Sequence, residues 1–275
     1  MKSFKFFLTS AVALMMLASC GTTSKVPITG RKQRLSVSDE QILSLSASQY
    51  KQYLSSAKIS TNATNTAMVQ RVGKNLANAV VNYLANNGYA NEVKNYAWEF
   101  NLVQNNSVNA FCMPGGKIVV YEGMLPVTQD EASLAIVLGH EIAHAVAKHS
   151  AEQMSKQNNQ SLLASVGASI VGAKLGENAA NLATSVASTG LTFLNAHYSR
   201  DNESEADHMG LIFAAMAGYD PNTALTFWKR MSQASSGSSS GGALQSYLSR
   251  HPSDTKRVSD IQRWLPEAMK YYTGK

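Results

Sequence analysis

The sequence predicts an α+β fold that is mostly helical, with one small β-sheet packed on a buried helix. Apolar side chains recur at three- and four-residue steps from Thr66 to Leu84, the spacing of one helical face. Trp98 to Val103 alternates between apolar and polar residues, and Lys117 to Tyr121 is a β-branched run, so two strands are expected. An apolar stretch follows, and we expect it to form a helix from Asp130 to about His149.

Composition indicates the size of the core and excludes one class of partner. With 275 residues and 44% hydrophobic content, the chain can bury a full core. Its net charge of +6 is modest, and the densest basic group is Arg31, Lys32 and Arg34. No arginine-rich helix or basic stripe with interleaved aromatic residues follows in the sequence. We therefore expect a solvated basic surface here and no nucleic-acid binding.

The N-terminus has the layout of a secretory signal peptide. Lys2 and Lys5 precede an apolar run from Phe6 to Leu17, which is too short to span a bilayer as an ordinary helix. The stretch Leu17-Ala18-Ser19-Cys20 resembles a bacterial lipobox, which implies cleavage before Cys20 and lipidation of its thiol. An ordinary signal peptide with an incidental cysteine is the alternative.

These features divide the chain into a signal peptide over residues 1–19, a lipidated tether over residues 20–36 and one main domain over residues 37–275. Gly21 follows the cysteine, where an aspartate would indicate retention in the inner membrane. We therefore expect a bacterial outer-membrane lipoprotein that is anchored through lipidated Cys20 and whose domain faces the periplasm.

Capping and turn residues predict where the first helix begins and where the second strand starts, and composition predicts the structure of residues 161–194. Ser38 and Gln41 have the spacing of a capping box, so a helix is expected to begin there. Pro114-Gly115-Gly116 is expected to form a turn that leads into the second strand. Residues 161–194 are rich in small residues but interrupted by polar ones, which favours one or two packed helices over a membrane span.

Three helices are expected in the C-terminal part. The first covers Arg200 to Met216 and is stopped by Gly218. The second runs from Asp220 to about Met231, and the third from about Asp254 to Met269. Ser232 to Gly242 is a Ser/Gly linker without a side-chain pattern.

The apolar helix carries the motif His140-Glu141-x-x-His144. On a helix, four residues advance about 400°, which leaves the two histidines about 40° apart and about 6 Å along the axis, so both reach one Zn²⁺. Glu141 lies next to the first ligand, so it can take a proton from water at the metal's open position and deliver it to a leaving amine. Burying these three side chains without partners would cost several kcal/mol, and metal ligation supplies the partners.

A third ligand is expected downstream of this motif. Glu203 and Asp207 are four residues apart and share one helical face. Glu203 would complete a His₂Glu site, the arrangement of a catalytic zinc, and Asp207 could accept the second N–H of a ligand histidine. Glu205 lies about 200° around the helix from Glu203 and is expected to point away. A solvated helix face is the alternative for such an acidic pair.

Other histidines near the motif are weaker candidates. The metzincin extension requires glycine at position 147 and histidine at position 150, where this chain has Ala147 and Ser150, so that class is excluded. His149 lies about 140° around the helix from His144 and is expected at the surface or behind a ligand. His251-Pro252 has the pattern of a turn.

Five stretches occur in the order found in one known family. They are Pro27-Ile28-Thr29-Gly30-Arg31; Asn109-Ala110-Phe111 with Pro114-Gly115-Gly116; Gly139-His140-Glu141-Ile142-Ala143-His144; Ser199-Arg200 with Glu203-x-x-Ala206-Asp207; and His251-Pro252 with Arg257. The sequence thus resembles the zinc metallopeptidase family of the CAAX prenyl proteases and HtpX-like heat-shock proteases, in its periplasmic lipoprotein branch. The resemblance implies a gluzincin-type core, with the small sheet packed on the HExxH helix.

The same resemblance implies a role for each site residue. His140, His144 and Glu203 would bind one Zn²⁺ per chain, and Glu141 would be the general base. Asp207 matches the family's second acidic residue, which lies behind a ligand or donates a proton.

Further residues around the cleft are implied by the resemblance. His251 would either cap the zinc or steady the developing oxyanion. Residues 105–111 would form the edge strand to which a substrate peptide adds as a further strand. Cys112-Met113 before Pro114 and the Ser/Gly loop at 232–242 depart from the pattern and leave the shape of the cleft open.

The expected function is a zinc-dependent endopeptidase of the bacterial cell envelope that cleaves misfolded or stalled envelope proteins. Its expected partners are these substrates, the membrane and the outer-membrane assembly machinery. The alternative is a chaperone-like or assembly-factor lipoprotein with a capped, largely non-proteolytic zinc site. Glu141 favours the enzyme, because a structural zinc has no use for a base beside its ligand, whereas His251 keeps the alternative open.

Overall fold

The computed structural model describes residues 22–170, 193–194, 196–236, 243–251 and 255–274. The predicted signal peptide and lipidated cysteine, much of the small-residue segment and part of the Ser/Gly linker lie outside the described residues.

The described fold is α+β and mostly helical, which confirms the predicted class. The helices are α1 (Asp39–Ser56), α2 (Ala63–Asn86), α3 (Ala90–Val93), α4 (Leu125–Thr128), α5 (Glu131–Val146), α6 (His149–Ile170), α7 (Arg200–Met216), α8 (Thr223–Ser236), α9 (Ala243–Arg250) and α10 (Thr255–Ala268). The strands are β1 (Thr22–Lys25), β2 (Lys32–Leu35), β3 (Glu99–Val103), β4 (Ala110–Met113) and β5 (Lys117–Tyr121). Among the described helices, none combines the length and the apolar character that crossing a bilayer requires.

The three-stranded sheet has the order β3-β5-β4, with β3 parallel and β4 antiparallel to β5. The outer edge of β3 is covered, because the Ser60 N–H donates to the Leu102 carbonyl at 2.9 Å and the Gln104 N–H donates to the Lys58 carbonyl at 2.7 Å. β4 is therefore the edge strand within the described structure. The sequence pattern predicted β3 and β5 but not β4, because all four residues of β4 are buried and it shows no alternation.

Helix α5 runs through the middle of the core, and nearly all of its residues are buried. Its first turn is capped by Asp130, whose Oδ1 accepts the Ser133 N–H at 2.6 Å. The helix packs against β4, α2 and α7, so its apolar side chains have neighbours on every side. This burial explains why the stretch is apolar around its whole circumference.

Two glycines allow α5 and α7 to approach closely. A Cβ added at Gly139 would lie 2.7 Å from the Gly210 carbonyl oxygen, and a Cβ added at Gly210 would lie 2.7 Å from the His140 nitrogen. Side chains larger than hydrogen would therefore push the two helices apart. The close crossing brings the motif on α5 next to the acidic residues of α7.

The predicted helix over 130–149 is interrupted near its end. Helix α5 ends at Val146, and Lys148 adopts a left-handed conformation with φ of 58°. The Lys148 ammonium contacts Asp39 Oδ1 at 2.9 Å and Glu92 Oε2 at 2.7 Å, which holds this strained position. His149 begins α6, so its direction cannot be extrapolated from the turn angle of α5.

A β-hairpin, β1–β2, lies in the segment interpreted as a tether. The Gly30 N–H donates to the Val26 carbonyl at 2.9 Å in its turn, and Gln33 Nε2 donates to the Ala147 carbonyl at 3.0 Å. The basic group in this hairpin is not simply a solvated surface, because the Arg31 guanidinium contacts Glu152 at 2.9 Å. The domain boundaries at residues 19, 36 and 37 stay a prediction.

Candidate metal centre

Four side chains each bring one nitrogen or oxygen atom to a single buried point. His140 and His144 lie one turn apart on α5, Glu203 lies in the first turn of α7, and His251 directly follows α9. All four are buried, and their ligand atoms lie within 4.8 Å of one another. The structure thus brings together residues that are up to 111 positions apart in the chain.

The separations between these atoms fit a tetrahedral metal site. His140 Nε2 lies 3.0 Å from His144 Nε2, 3.2 Å from His251 Nδ1 and 3.3 Å from Glu203 Oε2. Glu203 reaches His251 Nδ1 at 3.1 Å and His144 Nε2 at 3.4 Å. Ligands at zinc distances of 2.0–2.1 Å in a tetrahedron are roughly 3.3 Å apart. The donor set therefore fits one Zn²⁺.

A hydrogen bond behind the cluster leaves the Nε2 lone pair of His140 facing the other donors. His140 Nδ1 donates to Asp207 Oδ1 at 2.8 Å, because a carboxylate can only accept, and this leaves the Nε2 lone pair of a neutral ring free. Glu203 Oε1 and Glu141 Oε1 are buried without a hydrogen-bond partner among the described residues. A nitrogen lone pair and buried carboxylate oxygens without donors repel one another, and a cation between them removes that repulsion.

Electrostatics also favour a cation at this point. Burial would raise the pKa of Glu203, but its hydrogen bonds and electrostatic interactions with the surrounding histidines hold it well below its usual value. Burial would likewise raise the pKa of Asp207, but Arg257 and His140 lower it. Both carboxylates are therefore charged at neutral pH. Burial lowers the pKa of His144 well below its usual value, so its ring is neutral and can act as a ligand.

Glu141 lies beside the four donors. Its Oε1 is 3.6 Å from His251 Nε2, and its side chain is buried. Burial raises the pKa of Glu141, while its electrostatic interactions with His251 and His140 act in the opposite direction. A carboxylate with a raised pKa is a better proton acceptor near neutral pH than an exposed one.

Arg257 connects Asp207 to the segment that carries His251. It donates to Asp207 Oδ1 at 2.6 Å and to the His251 carbonyl at 3.2 Å. Its guanidinium carbon lies 3.4 Å from the centre of the Trp228 ring. Arg257 belongs to a stretch shared with the family, but its contacts depend on α7, α8 and the segment after α9, which no local spacing relates.

Two further residues contact His144. The Tyr198 ring stacks on the His144 ring, with centroids 4.1 Å apart, and the Tyr198 hydroxyl lies 2.8 Å from Ser150 Oγ. His149 Nδ1 lies 2.8 Å from His144 Nδ1, so His149 is behind a ligand, one of the two positions expected for it. Tyr198 could not be identified from the sequence, because it precedes α7 and carries no pattern of its own.

The structure brings all six predicted site residues together. They are His140, Glu141, His144, Glu203, Asp207 and His251. Glu205 points away from the four donors, as predicted, but it is buried and contacts His149 Nε2 at 3.0 Å. The alternative of a solvated acidic face on α7 is wrong, because Glu203 and Asp207 are both buried and both contact His140.

Comparison with known proteins identifies the family. The sequence model of peptidase family M48 matches residues 63–265, most of the chain, including every predicted site residue. The chain belongs to peptidase family M48. This confirms the predicted resemblance at the level of the family, which is a family of metallopeptidases. It also confirms Zn²⁺ as the metal that the four donors fit.

Relatives include mitochondrial and bacterial peptidases. The chain is 39% identical over 171 residues to the mitochondrial metalloendopeptidase OMA1 of Schizosaccharomyces pombe, which covers 62% of this chain and 48% of that protein. It is 29% identical over 248 residues to human mitochondrial metalloendopeptidase OMA1, covering 89% of this chain and 46% of that protein. It is 30% identical over 176 residues to the β-barrel assembly-enhancing protease of Escherichia coli, covering 63% and 35%. The chain thus spans about half the length, or less, of these relatives.

These comparisons contradict the predicted location. The bacterial outer membrane with the domain facing the periplasm was predicted from a short cationic and apolar leader, a lipobox-like stretch that ends at Cys20, and Gly21 after it. The relatives of highest identity among those compared are named as mitochondrial enzymes of eukaryotes. The physical reason is that leader composition is a weak determinant of location, because cationic and apolar N-termini direct proteins to more than one membrane system.

Proposed function

We propose that this chain is a zinc-dependent endopeptidase that hydrolyses peptide bonds with Glu141 as the general base. The observation that carries the proposal is the convergence of four buried donors, with the Glu141 carboxylate beside them and without a hydrogen-bond partner on Oε1. A purely structural metal site needs the donors but has no use for an adjacent buried base.

The mechanism follows from the residues around this point. Zn²⁺ would be held by His140, His144 and Glu203, and at its open position it would supply polarisation of the scissile carbonyl and a lower pKa of the attacking water. Glu141, with its raised pKa, accepts the proton of that water and returns it to the leaving amine. Asp207 is a positioning residue, because it accepts the N–H of His140 and is itself held by Arg257.

The substrate class follows from the sheet. β4 is the edge strand of the described sheet and packs against α5, which carries His140 and Glu141. An extended peptide can add to such an edge through main-chain hydrogen bonds, whatever its sequence. This favours unfolded segments as substrates. We infer that they come from misfolded or stalled membrane proteins, which is also supported by the name of the Escherichia coli relative, a β-barrel assembly-enhancing protease.

One observation favours a second candidate, an assembly factor with a capped site. His251 Nδ1 lies 3.2 Å from His140 Nε2 and 3.1 Å from Glu203 Oε2, so it can occupy the fourth ligand position. A zinc with four protein ligands has no open position for water. The chain would then bind unfolded proteins without useful hydrolysis until His251 moves away.

The deciding experiment compares zinc content with cleavage of an unfolded substrate. Zinc per chain and hydrolysis of fluorescently labelled casein are measured for wild type, Glu141→Gln and His251→Ala. His197→Ala is the matched control, since His197 is an exposed histidine outside the cluster. We expect one zinc per chain and cleavage of the substrate by wild type or by His251→Ala. Adding Glu141→Gln to whichever of these two is active should abolish the cleavage. One zinc per chain without cleavage by any variant would establish the capped assembly factor instead.

We also propose membrane attachment through a lipid on Cys20, supported by the lipobox-like residues 17–20. The assignment to an HtpX-like lipoprotein branch rests on the same residues. Incorporation of an alkyne-tagged fatty acid in growing cells tests it. We expect labelling and membrane association of wild type and loss of both in Cys20→Ala, with Cys112→Ala as the matched control. Equal labelling of Cys20→Ala and wild type would contradict the attachment.

A further inference from the structure

A continuous row of polar contacts connects the N-terminal hairpin to a metal ligand. We propose that Arg31 is a positioning residue for His144, acting through Glu205 and His149. The inference rests on the proposed zinc site. Arg31 lies outside residues 63–265, so the match to the peptidase family does not include it.

The first contact fixes the Glu205 carboxylate. Arg31 Nε donates to Glu205 Oε2 at 2.8 Å, and Thr29 Oγ1 donates to Glu205 Oε1 at 2.5 Å. The other edge of the guanidinium forms a bidentate pair with Glu152, in which Nη1 donates to Oε1 at 3.2 Å and Nη2 donates to Oε2 at 2.9 Å. Because both carboxylates are buried and the guanidinium is planar, Arg31 holds Glu205 in one orientation.

The second contact sets the position of a proton on His149. Its Nε2 lies 3.0 Å from Glu205 Oε2, and a carboxylate only accepts, so His149 carries its proton on Nε2. The Nδ1 atom of the neutral ring is then an acceptor. It lies 2.8 Å from His144 Nδ1, which must therefore be the donor.

The third step concerns the ligand itself. With its proton on Nδ1, His144 presents the Nε2 lone pair to the cluster, where it lies 3.0 Å from His140 Nε2. If Glu205 turned away, His149 could carry its proton on Nδ1 and donate a hydrogen bond from there to His144 Nδ1. The proton of His144 would then move to Nε2 and occupy the position where the metal binds.

His140 has an equivalent support from the other side. Its Nδ1 donates to Asp207, which accepts from Arg257. Both ligand histidines of α5 are thus oriented by an arginine and a carboxylate, directly for His140 and through His149 for His144. The second arginine comes from the hairpin and not from the helices that carry the ligands.

A substitution at Gln33 distinguishes the docking of the hairpin on the core from the orientation of His144. Gln33 Nε2 donates to the Ala147 carbonyl at 3.0 Å, so it also holds the hairpin on the core. This contact is independent of Glu205. Gln33→Ala therefore weakens docking while leaving the Arg31–Glu205–His149 contacts in place, and it is the matched control.

The experiment measures the zinc dissociation constant of the full chain by competition with a chromophoric chelator, alongside urea unfolding. We expect Arg31→Ala to weaken zinc binding by about 10-fold or more, the usual effect of removing such outer-shell partners. Gln33→Ala should lower the unfolding midpoint and leave zinc binding within about 2-fold of wild type. Thr29→Val, which keeps Arg31, should show a smaller loss of zinc affinity and covers the case that Arg31→Ala does not fold.

A double-substitution cycle then tests the route through His149. In a His149→Gln background, Arg31→Ala should weaken zinc binding no further, because the connection to His144 is already broken. An equal loss from Arg31→Ala in both backgrounds, or no loss in either, would overturn the proposal and leave Arg31 a docking residue. Wild type that binds no zinc would overturn the proposed function itself, and that result is visible before any variant is compared.

Discussion

Gly139 and Gly210 face each other where α5 crosses α7, and their backbones lie so close that a Cβ on either residue would overlap the other helix. The neighbour of Gly139 in sequence is the ligand His140, and Glu203 lies two turns before Gly210 on α7. The crossing therefore sets the separation between the two halves of the metal centre.

Gly210→Ala should destabilise the fold by about 2–4 kcal/mol, because the added methyl group meets the backbone of α5 and cannot be accommodated by a side-chain rotation. It should also weaken zinc binding, since α5 and α7 are forced apart. Urea unfolding and chelator competition measure the two effects. Helix propensity alone predicts the opposite sign, a gain of about 1 kcal/mol, so a more stable variant would contradict the close crossing.

Arg257→Ala should destabilise the chain by about 3 kcal/mol and weaken zinc binding, because it leaves the buried Asp207 charge without its cationic partner. Arg257→Lys keeps the charge but loses the planar contact with Trp228 and should restore only part of both quantities. Thermal unfolding and zinc titration are the measurements. Lys256→Ala, one residue away and exposed, is the matched control and should change neither.

Glu152 should make unfolding acid-dependent. Burial would raise the pKa of Glu152, but Arg31 and Lys156 lower it from 4.5 to about 2. Because the folded-state pKa is depressed, the stabilisation is complete above about pH 4.5 and is lost as the pH falls towards about 2. It amounts to about 1–2 kcal/mol at neutral pH, after allowance for the partial exposure of Arg31.

The measurement for Glu152 is urea unfolding at several pH values between 7 and about 2.5. Wild type should exceed Glu152→Gln in stability at pH 7, and the difference should shrink on acidification. Glu99→Gln serves as the control, since Glu99 pairs with Lys117 at an exposed position and such pairs contribute little. A difference for Glu152→Gln that stays constant with pH would rule out the ion pair as its cause.

Removal of zinc should lower the thermal unfolding temperature. A ligand that binds only the folded state raises the free energy of unfolding. The increase grows with the logarithm of the ratio of the free ligand concentration to the dissociation constant. We expect a chelator to destabilise wild type and Glu141→Gln equally, because Glu141 is not a ligand. Glu203→Gln should respond much less, as it has lost a ligand oxygen. An unchanged unfolding temperature for wild type would show that the cluster holds no metal.

Several elements were predictable because their determinants are local. The capping box of Ser38 and Gln41 forms as expected, and α7 begins and ends at the predicted residues Arg200 and Met216. Local backbone preferences and side-chain periodicity are sufficient for such elements. β1, β2, α3, α4 and α9 were not predicted, because such short segments carry no distinct period. The edge strand that the resemblance implied over residues 105–111 lies later in the chain, as β4 over Ala110–Met113.

His149 lies behind a ligand, one of the two positions expected for it, but the path of the chain that brings it there was not the expected one. Its position was extrapolated from the turn angle of a helix that was expected to continue, but the left-handed Lys148 ends that helix. Lys148 is held there by Asp39 and Glu92, which are distant in sequence. The redirected His149 then contacts His144, a relationship that no spacing along the chain indicates.

The sequence by itself indicated three of the four candidate donors and the candidate base of this protein. Two histidines and a glutamate in an apolar helix, followed by an acidic pair at helical spacing, define that chemistry, because burial of such groups demands partners. Only the tertiary structure decided which atoms face each other. The glycine crossing places Glu203 at the histidines, His251 completes the four donors, and Arg31 reaches His144 through two other side chains. These relationships depend on packing between distant segments, and no short sequence pattern encodes such packing.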